Sequence, residues 1–196
     1  GKHHFNAVDH ALYVVPFSPV LFIIDHRDFT KNVFILCDLP IVDFGAVVVY
    51  RCGVYFHAFN LGRYSQSISV IKALRQGVGG KILASLKKAL ELEPDHAEAH
   101  TALGMYHAEV IDKVGKLLGG VTYGASESDA LEHFRTALRL TPEAPIAHIE
   151  YGNGLYLLYG DRRLDEVSEL YVKASETEPL DAMEKLDVES ALAELE

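Results

Sequence analysis

Cysteine is scarce in this chain. Its 196 residues include only Cys37 and Cys52, with no CxxC spacing. That excludes a disulfide framework and a zinc knuckle, and it suits the reduced thiols of a cytoplasmic protein. Basic residues are in deficit, 18 Lys or Arg against 28 Asp or Glu, for a net charge of −10. A general nucleic-acid or anionic-membrane surface needs the opposite balance. No uninterrupted apolar run reaches the roughly 18 residues of a membrane span. The nearest, "ALYVVPFSPVLFII", is broken by Pro16 and Pro19 and lacks the basic start and small-residue cleavage site of a signal peptide. Apolar residues, by contrast, are plentiful: 49% beside 23% charged, the composition of a packed chain of one or two domains.

Three segments align on one another. Ile82, Leu86, Ala89 and Pro94 are spaced by four, three and five residues. Ala130, Phe134, Ala137 and Pro142 keep the same spacing, as do Val167, Tyr171, Ala174 and Pro179. Residues three and four apart share one helical face, so each quartet predicts a packing stripe in which the small residue admits a neighbouring helix. Each proline ends its helix, because it donates no hydrogen bond and biases the preceding residue away from helix. Leu103-Gly104 and Tyr151-Gly152 then fall nine and ten residues beyond Pro94 and Pro142.

This pattern resembles the tetratricopeptide repeat, a helix-turn-helix unit of about 34 residues. Leu103-Gly104 and Tyr151-Gly152 match its large–small pair, and the Ala130 quartet matches its second helix. His100 and His148 stand where that repeat has Trp, a departure from the pattern. An earlier fragment, "AFNLGRYSQSISVIKAL", looks like a turn between paired helices, with Gly62 and Tyr64 at typical places. The resemblance covers about residues 55–196. It implies an all-α, tetratricopeptide-like α-solenoid over residues 56–196, with a long insertion inside one repeat and a C-terminal capping helix.

The insertion is located by arithmetic. Pro142 and Pro179 are 37 residues apart, and the surplus fits a Gly160–Arg163 turn; Pro94 and Pro142 are 48 apart, so about 14 extra residues lie between Gly104 and Ala130. His107, Ile111, Val114 and Leu118 share a helical face, which predicts a first helix running about two turns long and stopping at Gly119-Gly120. "VTYGA" reads as a loop, and Ser126 as the N-cap of the next helix. A tetratricopeptide pair split in this way is similar to the regulator of microtubule dynamics family and its bacterial relatives. After Pro179, Asp181 and Glu184 suit a capping-box variant. Val188, Ala191, Leu192 and Leu195 form an apolar stripe there, and the outer face is expected to be polar. Residues 161–196 carry 12 acidic and four basic residues, read as a solvated face.

Residues 1–55 have another texture: eight of nine Phe lie before position 60. Local propensity reads short strands with turns at Pro16–Pro19, Asp38–Pro40 and Gly45. A helical array extends most readily by further helices, and helices packing on the repeats are the reading adopted.

Several chemistries fail on spacing. "RQGVGGKI" lacks both the first Gly of a phosphate loop and the Ser or Thr after Lys81, and reads as a Gly-rich helix–helix turn. His96 and His100 stand four apart with His107 seven further on, a chelating spacing, but His100, His107 and His148 fall at packing positions of the repeat. His3, His4 and His10 form a second cluster at a terminus. No cofactor, metal or catalytic residue is assigned.

By the resemblance, the exposed concave positions of the first helices are Glu98, Thr101, Met105, Glu109, Ile149, Asn153 and Tyr156. Val121, Thr122 and Tyr123 could close over a bound segment as a hook. The groove is apolar and acidic and lacks the Lys and Asn of a carboxylate clamp, so it favours an amphipathic or basic segment. The expectation is a noncatalytic, cytoplasmic, bacterial adaptor that binds a protein or peptide segment, with self-association open. Two alternatives stand beside it: a metal-binding or enzymatic protein using the His-rich face, and a structural subunit of a larger assembly.

Overall fold

The computed structural model describes residues 44–195, and among them there is no strand. Helix α1 spans Phe44–Gln66, α2 Val70–Arg75, α3 Val78–Leu92, α4 Ala97–Val114 and α5 Lys116–Tyr123. They are followed by α6 (Glu127–Leu140), α7 (Pro145–Tyr159), a 3-10 turn (Gly160–Arg163), α8 (Leu164–Ser175) and α9 (Ala182–Leu195). By its contacts the chain divides between Gly53 and Val54, and the helices pack as follows within the unit from Val54 onward. The architecture is all-α, as expected. Helix α1 includes Gly45, which strand propensity reads as a turn. The remaining expectations for the N-terminal segment, with His3, His4, His10 and Cys37, lie outside the described residues.

The quartets are buried as their spacing requires. Leu86, Ala89, Ala130, Phe134, Ala137, Val167 and Ala174 are all buried, while Ile82 and Tyr171 are half-buried. Helices α3 and α6 each stop two residues before their proline. Helix α4 packs most extensively on α6, then on α7; α7 packs on α8, and α8 on α9. One core cluster joins Ala58 of α1 to Leu86, Ala89, Ala99 and Leu103. A larger one gathers Ala108, Ile111, Phe134, Tyr151, Leu155 and Leu170.

Two contacts recur along the chain. A Cβ at Gly104 would sit 2.7 Å from the Phe134 ring, and one at Gly152 would sit 3.1 Å from the Tyr171 ring. Gly104 of α4 is therefore the seat of Phe134 from α6, and Gly152 of α7 the seat of Tyr171 from α8. The second recurrence joins His100 and His148 to the proline turns. His100 Nε2 donates to the Pro94 carbonyl at 2.9 Å, and His148 Nε2 donates to the Pro142 carbonyl at 2.8 Å. Each histidine satisfies a carbonyl that the proline turn leaves outside any helix.

The insertion departs from expectation. The first helix ends at Val114, because Gly115 has φ 84 and ψ 156, a region open essentially to glycine alone. Gly119-Gly120 do not stop a helix; they lie inside α5. A Cβ at Gly119 would come 3.3 Å from Val110 and 3.6 Å from Ala125, so this glycine serves close packing. "VTYGA" is mostly helical too: Val121–Tyr123 form the last turn of α5, and Gly124 closes it at φ 64. Ser126 does cap α6, its hydroxyl accepting the Asp129 N–H at 3.4 Å. Gly115→Ala is expected to cost about 1–3 kcal/mol, read as a lower urea midpoint, because alanine must leave that backbone region. An unchanged midpoint would show that the break does not need its glycine.

Two further expectations meet the structure. The fragment from Ala58 to Leu74 does hold a turn between two helices, between Gln66 and Val70, while Gly62 and Tyr64 themselves lie in the first of them. On α9 the cap forms: Asp181 Oδ1 accepts the N–H groups of Met183 and Glu184, and the Glu184 carboxylate accepts the Leu180 N–H. Its outer side is not purely polar, however. Of the apolar stripe Ala191 is buried and Val188 half-buried, while Leu192 and Leu195 are exposed, as are Leu180, Met183 and Leu186.

Candidate interaction groove

Helix α4 has one row of residues, Glu98, Thr101, Ala102, Met105 and Glu109, on the side away from the α6 stripe. Helix α7 has a matching row, Ile146, Glu150, Asn153 and Leu157. With Tyr55 and Phe59 of α1, Ile82 of α3 and Tyr123 of α5, they line a groove of about 980 Å³. Of the residues expected to meet a partner, Glu98, Thr101, Met105, Glu109, Tyr123, Asn153 and Tyr156 are brought together here.

Three are not. Ile149 is 7% exposed and packs with Ala174 and Ala191, because α8 and α9 cover the position that Thr101 leaves open one unit earlier. Val121 and Thr122 are exposed on α5 and do not line the groove, so the hook reduces to Tyr123. Residues that motif counting missed include Ile146, Glu150 and Leu157. Each lies 48 positions after a groove residue of α4 (Glu98, Ala102 and Glu109), so the repeat offset contained them.

Polar groups in the groove are tied down on most sides. Thr101 donates to the Ala97 carbonyl, and Tyr171 OH donates to Asn153 Oδ1 at 2.6 Å. Tyr106 OH donates to the Tyr123 carbonyl at 3.2 Å, joining α4 to the end of α5. Of the groove's cations, Lys113 pairs with Glu109, and Arg63 donates to Gln66. Glu150 has no hydrogen-bond or ion-pair partner among the described residues. Burial, then Glu109 and Asp187, push its pKa up. The Tyr55 hydroxyl is raised to about 12 by burial, Glu98 and Glu150. The groove is thus an apolar channel with a net excess of carboxylate.

The histidine face is arranged for packing. His107 is 4% exposed, and its Nδ1 accepts the Ser126 N–H at 3.3 Å. His100 and His133 meet Nδ1 to Nδ1 at 2.9 Å. Since the Pro94 carbonyl can only accept, His100 carries its proton on Nε2 and, when neutral, offers Nδ1 as acceptor. His133 therefore donates from Nδ1. Both nitrogens of His100 are engaged, while His96 turns away: its ring lies 4.7 Å from that of Tyr55, and its Nδ1 is 2.9 Å from Glu98, off the hydrogen-bonding direction. Among the described residues no three His, Cys, Asp or Glu side chains converge as a metal site, and no helix is long and apolar enough to cross a membrane.

Compared with known proteins, the chain matches no family model and no curated protein.

Proposed function

We propose that the chain is a noncatalytic helical-repeat module of tetratricopeptide type that holds a segment of another protein in the groove between α4, α7 and α1. The observation that carries this reading is the groove itself, whose walls are the same face of two helices 48 residues apart. The recurring glycine–aromatic and histidine–proline contacts support the repeat alignment. The broken α4–α5 unit supports the likeness to the regulator of microtubule dynamics family. Helical grooves of this kind take segments by seating apolar anchors between aromatic side chains.

Tyr156 is exposed on the groove wall, so its loss should spare the fold. A phage-displayed library of 16-residue peptides selected on the full chain should yield clones whose affinity falls about tenfold or more on Tyr156→Ala, with the helical circular dichroism unchanged. Clones that bind Tyr156→Ala and Phe59→Ala as tightly as the original chain would place binding elsewhere.

A further inference from the structure

We infer that the groove's occupant is an amphipathic helix, embedded for about two turns, with one lysine or arginine directed at Glu150. This rests on the groove being the binding face and goes further, to the conformation and charge of what binds there.

Size is the first argument. Two turns of α-helix are about 11 Å long and 10–12 Å across, a volume of roughly 850–1,200 Å³. The groove measures about 980 Å³.

The second argument is backbone chemistry. An extended segment carries unpaired N–H and C=O groups along its length, and each costs free energy if it is buried without a partner. The walls here are helices, whose backbone groups are already bonded. Of their side chains, Thr101 is spent on Ala97 and the Asn153 oxygen on Tyr171, while Glu98, Glu109 and Glu150 can accept an N–H but offer a strand's carbonyls no donor. A strand in this groove would lose its hydrogen bonds to water and regain them only in part. A helix brings its own.

Charge is the third. Glu98, Glu109 and Glu150 all line the groove, and its two cations are committed, Lys113 to Glu109 and Arg63 to Gln66. Glu150 alone among the three carboxylates has no partner among the described residues, and it sits midway along α7 between Ile146 and Asn153. A cation there relieves a carboxylate that burial and its neighbours disfavour, whereas an acidic segment would add a like charge. Apolar anchors three and four residues from that cation would meet Tyr55, Phe59 and Ile82.

The same phage-displayed 16-residue library tests this on the full chain, with Glu150→Gln as the paired target. Glutamine keeps the shape of the neutral acid, so the thermal midpoint should not fall. Enriched peptides should carry apolar residues at spacings of three and four with one Lys or Arg, and a synthetic copy should gain helical circular dichroism on mixing. Its Kd should rise about tenfold on Glu150→Gln, and equally when its own cation is changed to Gln. Both changes together should weaken binding no more than either alone. Peptides that gain no helix, or that lose affinity on Tyr156→Ala but not on Glu150→Gln, overturn the helix-and-cation inference and leave the groove reading standing. Selection that enriches nothing sensitive to Tyr156 overturns both. So does cross-linking that finds residues 1–43 of the same chain seated against Glu150.

Discussion

Phe134→Ala is expected to lower the unfolding free energy by roughly 3–5 kcal/mol, the largest loss of any single truncation among the described residues. Phe134 is 1% exposed, and its ring stacks on Tyr151 with centroids 5.1 Å apart. It also fills the space left by two glycines at once. A Cβ at Gly104 of α4 would lie 2.7 Å from the ring, and one at Gly154 of α7 would lie 2.4 Å from it. One side chain thus closes the seam among α4, α6 and α7, and removing it opens a cavity bounded by backbone that cannot collapse cheaply. Gly154→Ala approaches the same seam from the other side. The ring must move or distort, so that variant should also destabilise, by about 1–3 kcal/mol. Combining Gly154→Ala with Phe134→Leu should recover part of the loss, giving a coupling outside simple additivity. Urea midpoints of the original chain, Phe134→Ala, Phe134→Leu, Gly154→Ala and the double variant decide the matter. Strict additivity, or a wild-type midpoint for Phe134→Ala, would mean that the ring is not the keystone of the seam.

That seam was legible in the sequence because one physical rule governs it: apolar residues at spacings of three and four must share a buried face. The groove positions on α4 came instead from counting along the resembled repeat. The sequence misleads wherever a residue type has two uses. Gly115 and Gly119 look alike in sequence, yet Gly115 takes a backbone conformation closed to other residues while Gly119 makes room for Val110. Thr101 and Ile149 stand 48 residues apart at matching places of the pattern, and the cover of α8 and α9 separates a half-open position from a buried one. Tyr55 and Phe59, which share the opposite wall with Ile82, were out of reach for another reason: nothing local says that α1 will face α4. Glu150 was findable by repeat offset alone, although its lack of a cation is a fact of three dimensions.

The pH dependence of stability should be dominated by His133. Burial, followed by the neighbouring His100 and His107, holds its pKa down at about 4, against an ordinary value of 6.5; Lys87 acts in the same direction and Asp129 against it. With the folded pKa depressed, the unfolded chain binds the proton first as pH falls. The stability tied to neutral His133 is therefore complete above pH 6.5 and is lost progressively toward pH 4. A shift of that size is worth about 3.4 kcal/mol at face value, and solvent screening at this half-buried ring reduces it to roughly 2 kcal/mol. His107 and His57 are also held low, chiefly by burial, and add to the loss in the same window. Glu150 and Asp187 oppose it, since carboxylates raised by burial take up a proton in the folded state and so gain stability as pH falls through their folded pKa values. The depressed histidines act together as pH falls from 6.5, and the two raised carboxylates offset part of that loss. His133→Leu isolates the effect, because the second unit already has Leu170 at the equivalent place, and there the buried Nδ1 of His148 has no partner. The variant should lose some stability at pH 7.5, as His100 Nδ1 is left in the position of His148 Nδ1. Its urea midpoint should then fall less steeply than that of the original chain between pH 6.5 and 5. Equal slopes for the two proteins would assign the acid sensitivity to other groups and leave the His100–His133 bond as packing alone.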